Sequence, residues 1–292
     1  MSSHLLLGAE TASSLTVRRI TPADLRHALA AGLDDFAATP TYAIFLCVIY
    51  PLVGLWLVSL AAGYSMLPLA FPLASGFALI GPFAAVGLYE MSRRREAGLE
   101  VNASHAFDVL KSPSRGAILA LGLLLMAIFL IWLAVAEAIY IANFGYHAPD
   151  SIIQFAREVF TTPAGWTLIV VGTLVGFLFA VVALTVGAIS FPLLLDRDVG
   201  AAIALYTSIR LVIGNPFVMG LWGFIVAALL LLGSLPFFLG LTVVMPILGH
   251  ATWHLYRKAI DAGAAPRANF PRKERATRSA ADFPASLFPT RR

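Results

Sequence analysis

Charge and cysteine are both scarce in this sequence. Only 12% of its 292 residues are Asp, Glu, Lys or Arg, against 59% hydrophobic residues, which excludes a water-soluble fold with a charged coat around one core. The single cysteine, Cys47, excludes a disulfide framework and any paired-thiol metal or redox motif. A Walker loop, a dinucleotide fingerprint, a zinc-protease helix and a Gly-x-Ser-x-Gly elbow are all missing. No folded basic domain accompanies the formal net charge of +4, so nucleic acid is not an expected partner.

What the chain has instead is long apolar runs. Its mean hydropathy is +0.84, and six runs, 42–62, 67–91, 116–144, 166–195, 217–235 and 237–256, reach the ~20 residues that a helix needs to cross a hydrocarbon layer. Lipid offers no hydrogen-bond partners, so each run must satisfy its own backbone, and none alternates as a barrel strand does. The expected fold class is an all-α membrane protein with six transmembrane helices. The fifth and sixth meet in a tight turn at Ser234-Leu235-Pro236.

The basic residues set the expected orientation, because Lys and Arg flanking spans stay in the cytoplasm. With the N-terminus inside, nineteen of the twenty basic residues fall in cytoplasmic segments, and the exception is Arg157 in the outer loop 145–165. Both termini are then cytoplasmic. The first 41 residues are too mixed for a signal peptide, so the first span is expected to serve as the targeting signal.

A repeat runs through the chain. Asp34-Asp35-Phe36-Ala37-Ala38-Thr39-Pro40, Phe107-Asp108-Val109-Leu110-Lys111-Ser112-Pro113 and Arg210-Leu211-Val212-Ile213-Gly214-Asn215-Pro216 each lead into an odd-numbered span. The stretch before each proline has helical spacing, clearest where Leu25, Leu29, Leu33 and Phe36 share one face. Thr21 supplies its N-cap, Pro22 its first turn and Asp24 the third position. These predict short helices lying apolar face down on the inner membrane surface. Pro82, Pro192 and Pro246 lie in the inner halves of the even spans and predict kinks there. The unit is a surface helix, a turn, an outward span and an inward kinked span, used three times over about 20–98, 99–200 and 201–262. Residues 1–16 and 263–292 are expected to be disordered tails. The second of these is rich in Ala, Pro and Arg, sets seven basic residues against Glu274 and Asp282, and suits anionic lipid at the inner leaflet.

The stretches GPFAAVGLYE (81–90), SFPLLLDRD (190–198) and GHATWHLYR (249–257) resemble a bacterial family of predicted integral membrane proteins catalogued as domain of unknown function 2189. The resemblance covers about 17–262. It implies a bacterial inner-membrane protein without an established activity. Names carried by some members imply a link to cytochrome c oxidase, although this chain lacks the intramembrane histidines of a haem-copper subunit.

Ionisable residues inside spans are functional candidates by default. Glu137, about two turns from the outer end of the third span, could take a proton or cation from outside, or could be an interfacial carboxyl bonded to a nearby Tyr or Trp. His250 and His254 project from one face of the sixth span, as a metal or haem site requires. Two ligands do not close such a site, and partners would come from Glu90, Asp196 or Asp198. The alternative is a polar collar, in which these carboxylates, the two histidines and Arg93, Arg197 and Arg257 pair with one another near the cytoplasmic face. The expected function is a non-enzymatic accessory, scaffold or assembly protein without a cofactor, packed against lipids or other membrane proteins such as respiratory complexes. The alternatives are a small transporter or channel, and a haem- or metal-binding electron-transfer or oxidase-associated subunit.

Overall fold

The computed structural model describes residues 15–63, 67–146, 149, 151–263 and 265–268, and over these the chain is nearly all helix. Strand β1 (Thr16–Val17) leads into helix α1 (Pro22–Ala38). Thr21 caps α1 as its residue type dictates. Its Oγ1 accepts from the Asp24 N–H at 3.4 Å, and the Asp24 carboxylate accepts from the Thr21 N–H at 2.9 Å. These bonds hold the Asp24 carboxyl below its ordinary range.

Beyond Thr39, α2 (Pro40–Cys47) and α3 (Ile49–Gly63) together occupy the first apolar run, meeting at Val48. The second run is broken more often, into α4 (Ala70–Phe77), α5 (Gly81–Ala84) and α6 (Val86–Glu96), with a 3-10 turn Ala78–Ile80 between the first two. The 3-10 helix Ala103–Lys111 and the turn at Ser112 precede α7 (Arg115–Phe144). Between α7 and the next long apolar run, α8 (Ile152–Thr161) runs into α9 (Pro163–Gly187), followed by α10 (Ser190–Asp196) and α11 (Ala201–Gly214). The chain then forms α12 (Pro216–Ser234), α13 (Leu241–Ala259) and strand β2 (Ile260–Asp261).

Among the described residues four helical stretches are long and apolar enough to cross a membrane: Ala70–Glu96, Arg115–Phe144, Pro163–Asp196 and Pro216–Ser234. Large apolar side chains stand out from them, among them Leu130, Leu174 and Phe224, a surface that lipid rather than water must cover. The other two predicted spans are helical, as α2 with α3 and as α13, but do not reach that measure. α13 carries His250, His254, Arg257 and Lys258 in its second half.

The prolines behave differently from the expected kinks. Pro246 does lie inside α13. Pro82 sits in the first turn of α5 and Pro192 in the first turn of α10, the latter after a break at Ile189 with φ −136° and ψ −1°. A first turn has no use for the missing N–H, so at these two positions the helix restarts rather than bends.

The C-terminal halves of α6, α10 and α13 meet one another, and α1 packs along α13. The face by which α1 packs lies beside the apolar stripe expected to face the membrane. Leu25, Ala28, Gly32 and Asp35 are the buried stripe of α1, while Leu33 is 52% exposed. Small residues win the contact because they let two backbones approach. A Cβ on Gly32 would lie 2.6 Å from the Ala251 nitrogen. The segments before α1 and after α13 are tied together beside this contact, with Thr16 opposite Asp261 and Val17 opposite Ile260 in an antiparallel pair. Asn215 reinforces the tie by accepting from the Ile20 N–H at 3.0 Å and donating to the Arg18 carbonyl at 3.2 Å. Order also runs past Ala262, since Ala265 and Ala268 are buried and the Ala268 N–H donates to the Asp196 carbonyl at 2.9 Å. The remainder of both tails lies outside the described residues.

Candidate functional site

Apart from Glu137, the polar residues singled out from the sequence gather at the C-terminal ends of α6, α10 and α13, in three groups. The first is local to α6. Glu90 is fully buried and takes a two-pronged bond from Arg93, Nε to Oε2 and Nη2 to Oε1, both at 2.7 Å. A planar guanidinium matches a carboxylate in this way, and only such a fit offsets the desolvation of both charges.

The second group joins α6, α10 and α13. Tyr256 donates to Asp196 Oδ2 at 2.7 Å, and the guanidinium groups of Arg197 and Arg257 approach the same oxygen at 3.1 and 3.5 Å. Arg257 also donates to Glu96 at 2.9 Å, and the Trp253 indole N–H donates to that carboxylate at 2.8 Å. Arg197 reaches on to the Ala265 carbonyl at 2.5 Å. Asp198 stands at the rim, accepting from Ser114 Oγ at 3.4 Å.

The third group holds the histidines, and its carboxylate is one that the sequence reading left out. His254 Nε2 lies 2.9 Å from Asp35 Oδ2, so the histidines' acidic partner is Asp35 of α1 rather than Glu90, Asp196 or Asp198. Ser92 Oγ donates to the same oxygen at 2.5 Å, Arg95 pairs with Asp35 Oδ1, and His250 Nδ1 is 2.8 Å from Ser92 Oγ. Burial by itself would raise the Asp35 carboxyl, but the hydrogen bonds from His254, Ser92 and Arg95 outweigh it and hold the group down at about 2. The readable signal for Asp35 was its spacing. It continues Leu25, Ala28 and Gly32 at three- and four-residue steps, so it belongs to the stripe that packs. Ser92 gave no such signal.

Glu137 stands apart from this collar. It is half-buried on α7, one turn before Tyr140, and makes no ion pair among the described residues. Among the described residues no set of three or more His, Cys, Asp and Glu side chains gathers as a metal site. His254 Nε2 is taken by Asp35 and His250 Nδ1 by Ser92, which leaves the haem or metal alternative two imidazole nitrogens, His250 Nε2 and His254 Nδ1, to build on.

Apolar helices ending in a buried, paired collar are what a membrane domain presents, and comparison with known families agrees. Residues 70–196 match the family described as predicted integral membrane protein, DUF2189. The match runs from α4 through α10, narrower than the resemblance over 17–262. The DUF2189 segment thus includes Glu90, Ser92, Arg93, Glu137 and Asp196, and the collar is completed from outside it by Asp35, His250, His254 and Arg257. No curated protein and no solved structure matches the chain.

Proposed function

We propose that this integral membrane protein is a non-enzymatic accessory or scaffold component of a bacterial inner membrane, with both termini cytoplasmic and six spans arranged as three hairpins. Each hairpin is preceded by a short surface helix. The observation that carries this reading is how the surface elements pack. The 3-10 helix Ala103–Lys111 lies on α6, where a Cβ on Gly87 would meet Ala106 at 3.0 Å. α11 lies on α9 and α10, with Ser208 Oγ donating to the Thr185 carbonyl at 2.7 Å. α1 lies on α13. Each surface helix thus rests on the inward segment of the preceding hairpin, and α1 rests on the last, which closes the circle.

The turns support the same reading. Thr39 before Pro40 has φ −139° and ψ 49°, and Asn215 before Pro216 has φ −135° and ψ 51°. Counted back from these prolines, the buried residues Ala28, Gly32 and Asp35 correspond to Ala204, Ser208 and Leu211. The second turn departs, with Ser112 at φ −61° and ψ 139°.

A scaffold role is supported by where the charges go. Apart from Glu90, whose partner Arg93 is three residues away, the collar carboxylates are engaged in bonds between segments far apart in sequence. Two cavities of ≈ 50 and ≈ 210 Å³ are lined mainly by apolar side chains, and Glu137 is in neither. Exposed Leu33, Leu110 and Ile213 on the surface helices, with Arg26, Lys111 and Arg210 beside them, suit an anionic lipid surface. Cysteine labelling tests the topology: a probe at Pro149 should react from outside and one at Gly98 from inside, and the reverse at either overturns it. For the scaffold role, cross-linking in native membranes should capture a neighbouring membrane protein, whereas ion flux through proteoliposomes that is lost in Glu137→Gln would favour transport instead.

A further inference from the structure

Counting protons around Asp35 fixes the tautomer of His250. A carboxylate only accepts, and Asp35 accepts from Arg95, His254 Nε2 and Ser92 Oγ. Ser92 has one hydroxyl proton, and the 2.5 Å bond to Asp35 uses it. Its 2.8 Å contact with His250 Nδ1 must then run the other way, from Nδ1–H to Oγ. The remaining nitrogen, Nε2, is left with a bare lone pair. His250 is 1% exposed and its Nε2 has no hydrogen-bond partner among the described residues, which makes it a fully buried basic atom that pairing leaves unused.

We propose that His250 Nε2 is a proton-binding site, and that filling it releases α1 from α6 and α13, so that this junction is a pH-sensitive latch. The proposal goes beyond the scaffold reading and does not depend on the number or direction of the spans. The groups that decide it come from all three elements. α1 contributes Asp35, with Asp34 next to it exposed; α6 contributes Ser92 and Arg95; α13 contributes His254. A proton arriving from water would form one N–H bond at Nε2 and place a second fixed cation beside Arg95, with Asp35 as the single carboxylate in contact. Among the described residues no acceptor lies within hydrogen-bond distance of Nε2, although the Leu88 carbonyl faces the ring, and an unpaired buried charge is far more costly than an unpaired lone pair.

Admitting water removes both faults, and the joint is built to allow it. Gly32 and Ala251 meet backbone to backbone, so at this point, one turn from Asp35, no side chain interlocks across the contact and a small separation admits water to the site. The return of neutral pH restores the lone pair and the dry contact.

Two measurements on the full-length protein in lipid nanodiscs test this. Nitrogen-15 NMR of histidine-labelled protein should show His250 as the Nδ1–H tautomer near neutral pH, converting to imidazolium as the pH falls from about 8 to about 4. An Nε2–H tautomer, or no conversion, overturns the proposal. Hydrogen exchange of residues 22–38, corrected for intrinsic rates and referred to α7, should accelerate by about tenfold or more over that range in the wild type. His250→Asn keeps a donor toward Ser92 but cannot take the proton, and should flatten the response. His254→Gln, which keeps a donor toward Asp35, should leave it in place. Acceleration that persists in His250→Asn, or is missing from the wild type, overturns the latch. If His250→Asn does not fold, the tautomer and the wild-type exchange still decide.

Discussion

Gly32 and Ala251 are in direct backbone contact. A Cβ built on Gly32 would stand 2.6 Å from the Ala251 nitrogen and 2.8 Å from its Cα, and neither atom can move without shifting α13. This single approach fixes how deeply α1 beds onto α13, and therefore whether Asp35 reaches Ser92 and His254 three residues further along.

Gly32→Ala should accordingly act at a distance. Overpacking at a rigid backbone contact costs about 1–3 kcal/mol, and here it should also weaken the Asp35 bonds. The expected result is a lower melting temperature in detergent together with faster exchange in 22–38. Leu33→Ala, at an exposed position on the same helix, should change neither by a comparable amount.

Acid should loosen the junction through Asp35 in a second window. Its folded carboxyl is held at about 2, below the ordinary carboxylate value, so the folded state favours the charged form. The stabilisation is complete above the unfolded value near 4 and is lost as pH falls from there through about 2, amounting to about 2 kcal/mol at most. Asp35→Asn should remove that acid limb from a stability-versus-pH curve and be less stable at neutral pH. A limb between about pH 4 and pH 2 that survives in Asp35→Asn would assign it to another carboxyl.

Asn215 clamps the entry to α1 by two bonds to Arg18 and Ile20. Asn215→Ala removes both and leaves the buried Ile20 N–H unpaired, for about 1–3 kcal/mol. Limited trypsin digestion should then cut sooner at Arg18 and Arg19. Cleavage there at the wild-type rate would show that the strand pair holds the segment unaided.

His254→Ala should destabilise the α1–α13 contact by leaving one side of the buried Asp35 short of a donor. The Asp35→Asn and His254→Ala effects should be strongly non-additive in a double-mutant cycle, since they share one bond. Additive effects would place His254 outside the Asp35 network.

Much of this was legible in the sequence. Apolar runs of span length dictated helices in lipid, because a bilayer leaves the backbone no other way to satisfy itself. The Thr21-Pro22-x-Asp24 signature dictated the start of α1, because capping is a local bond between residues three apart. The gathering of Glu90, Asp196, His250, His254 and the arginines at one end followed from their common place near the ends of the even runs.

Other features were settled only when the chain closed on itself. On α1 two stripes lie side by side, Leu25, Leu29, Leu33 and Phe36 in one and Leu25, Ala28, Gly32 and Asp35 in the other. Apolarity favours the first, and the observed packing uses the second because close backbone approach needs small residues. That rotation carries Asp35 inward to His254, 219 residues away in sequence. Helical periodicity fixes which residues share a face, but only the neighbouring helix decides which face is buried.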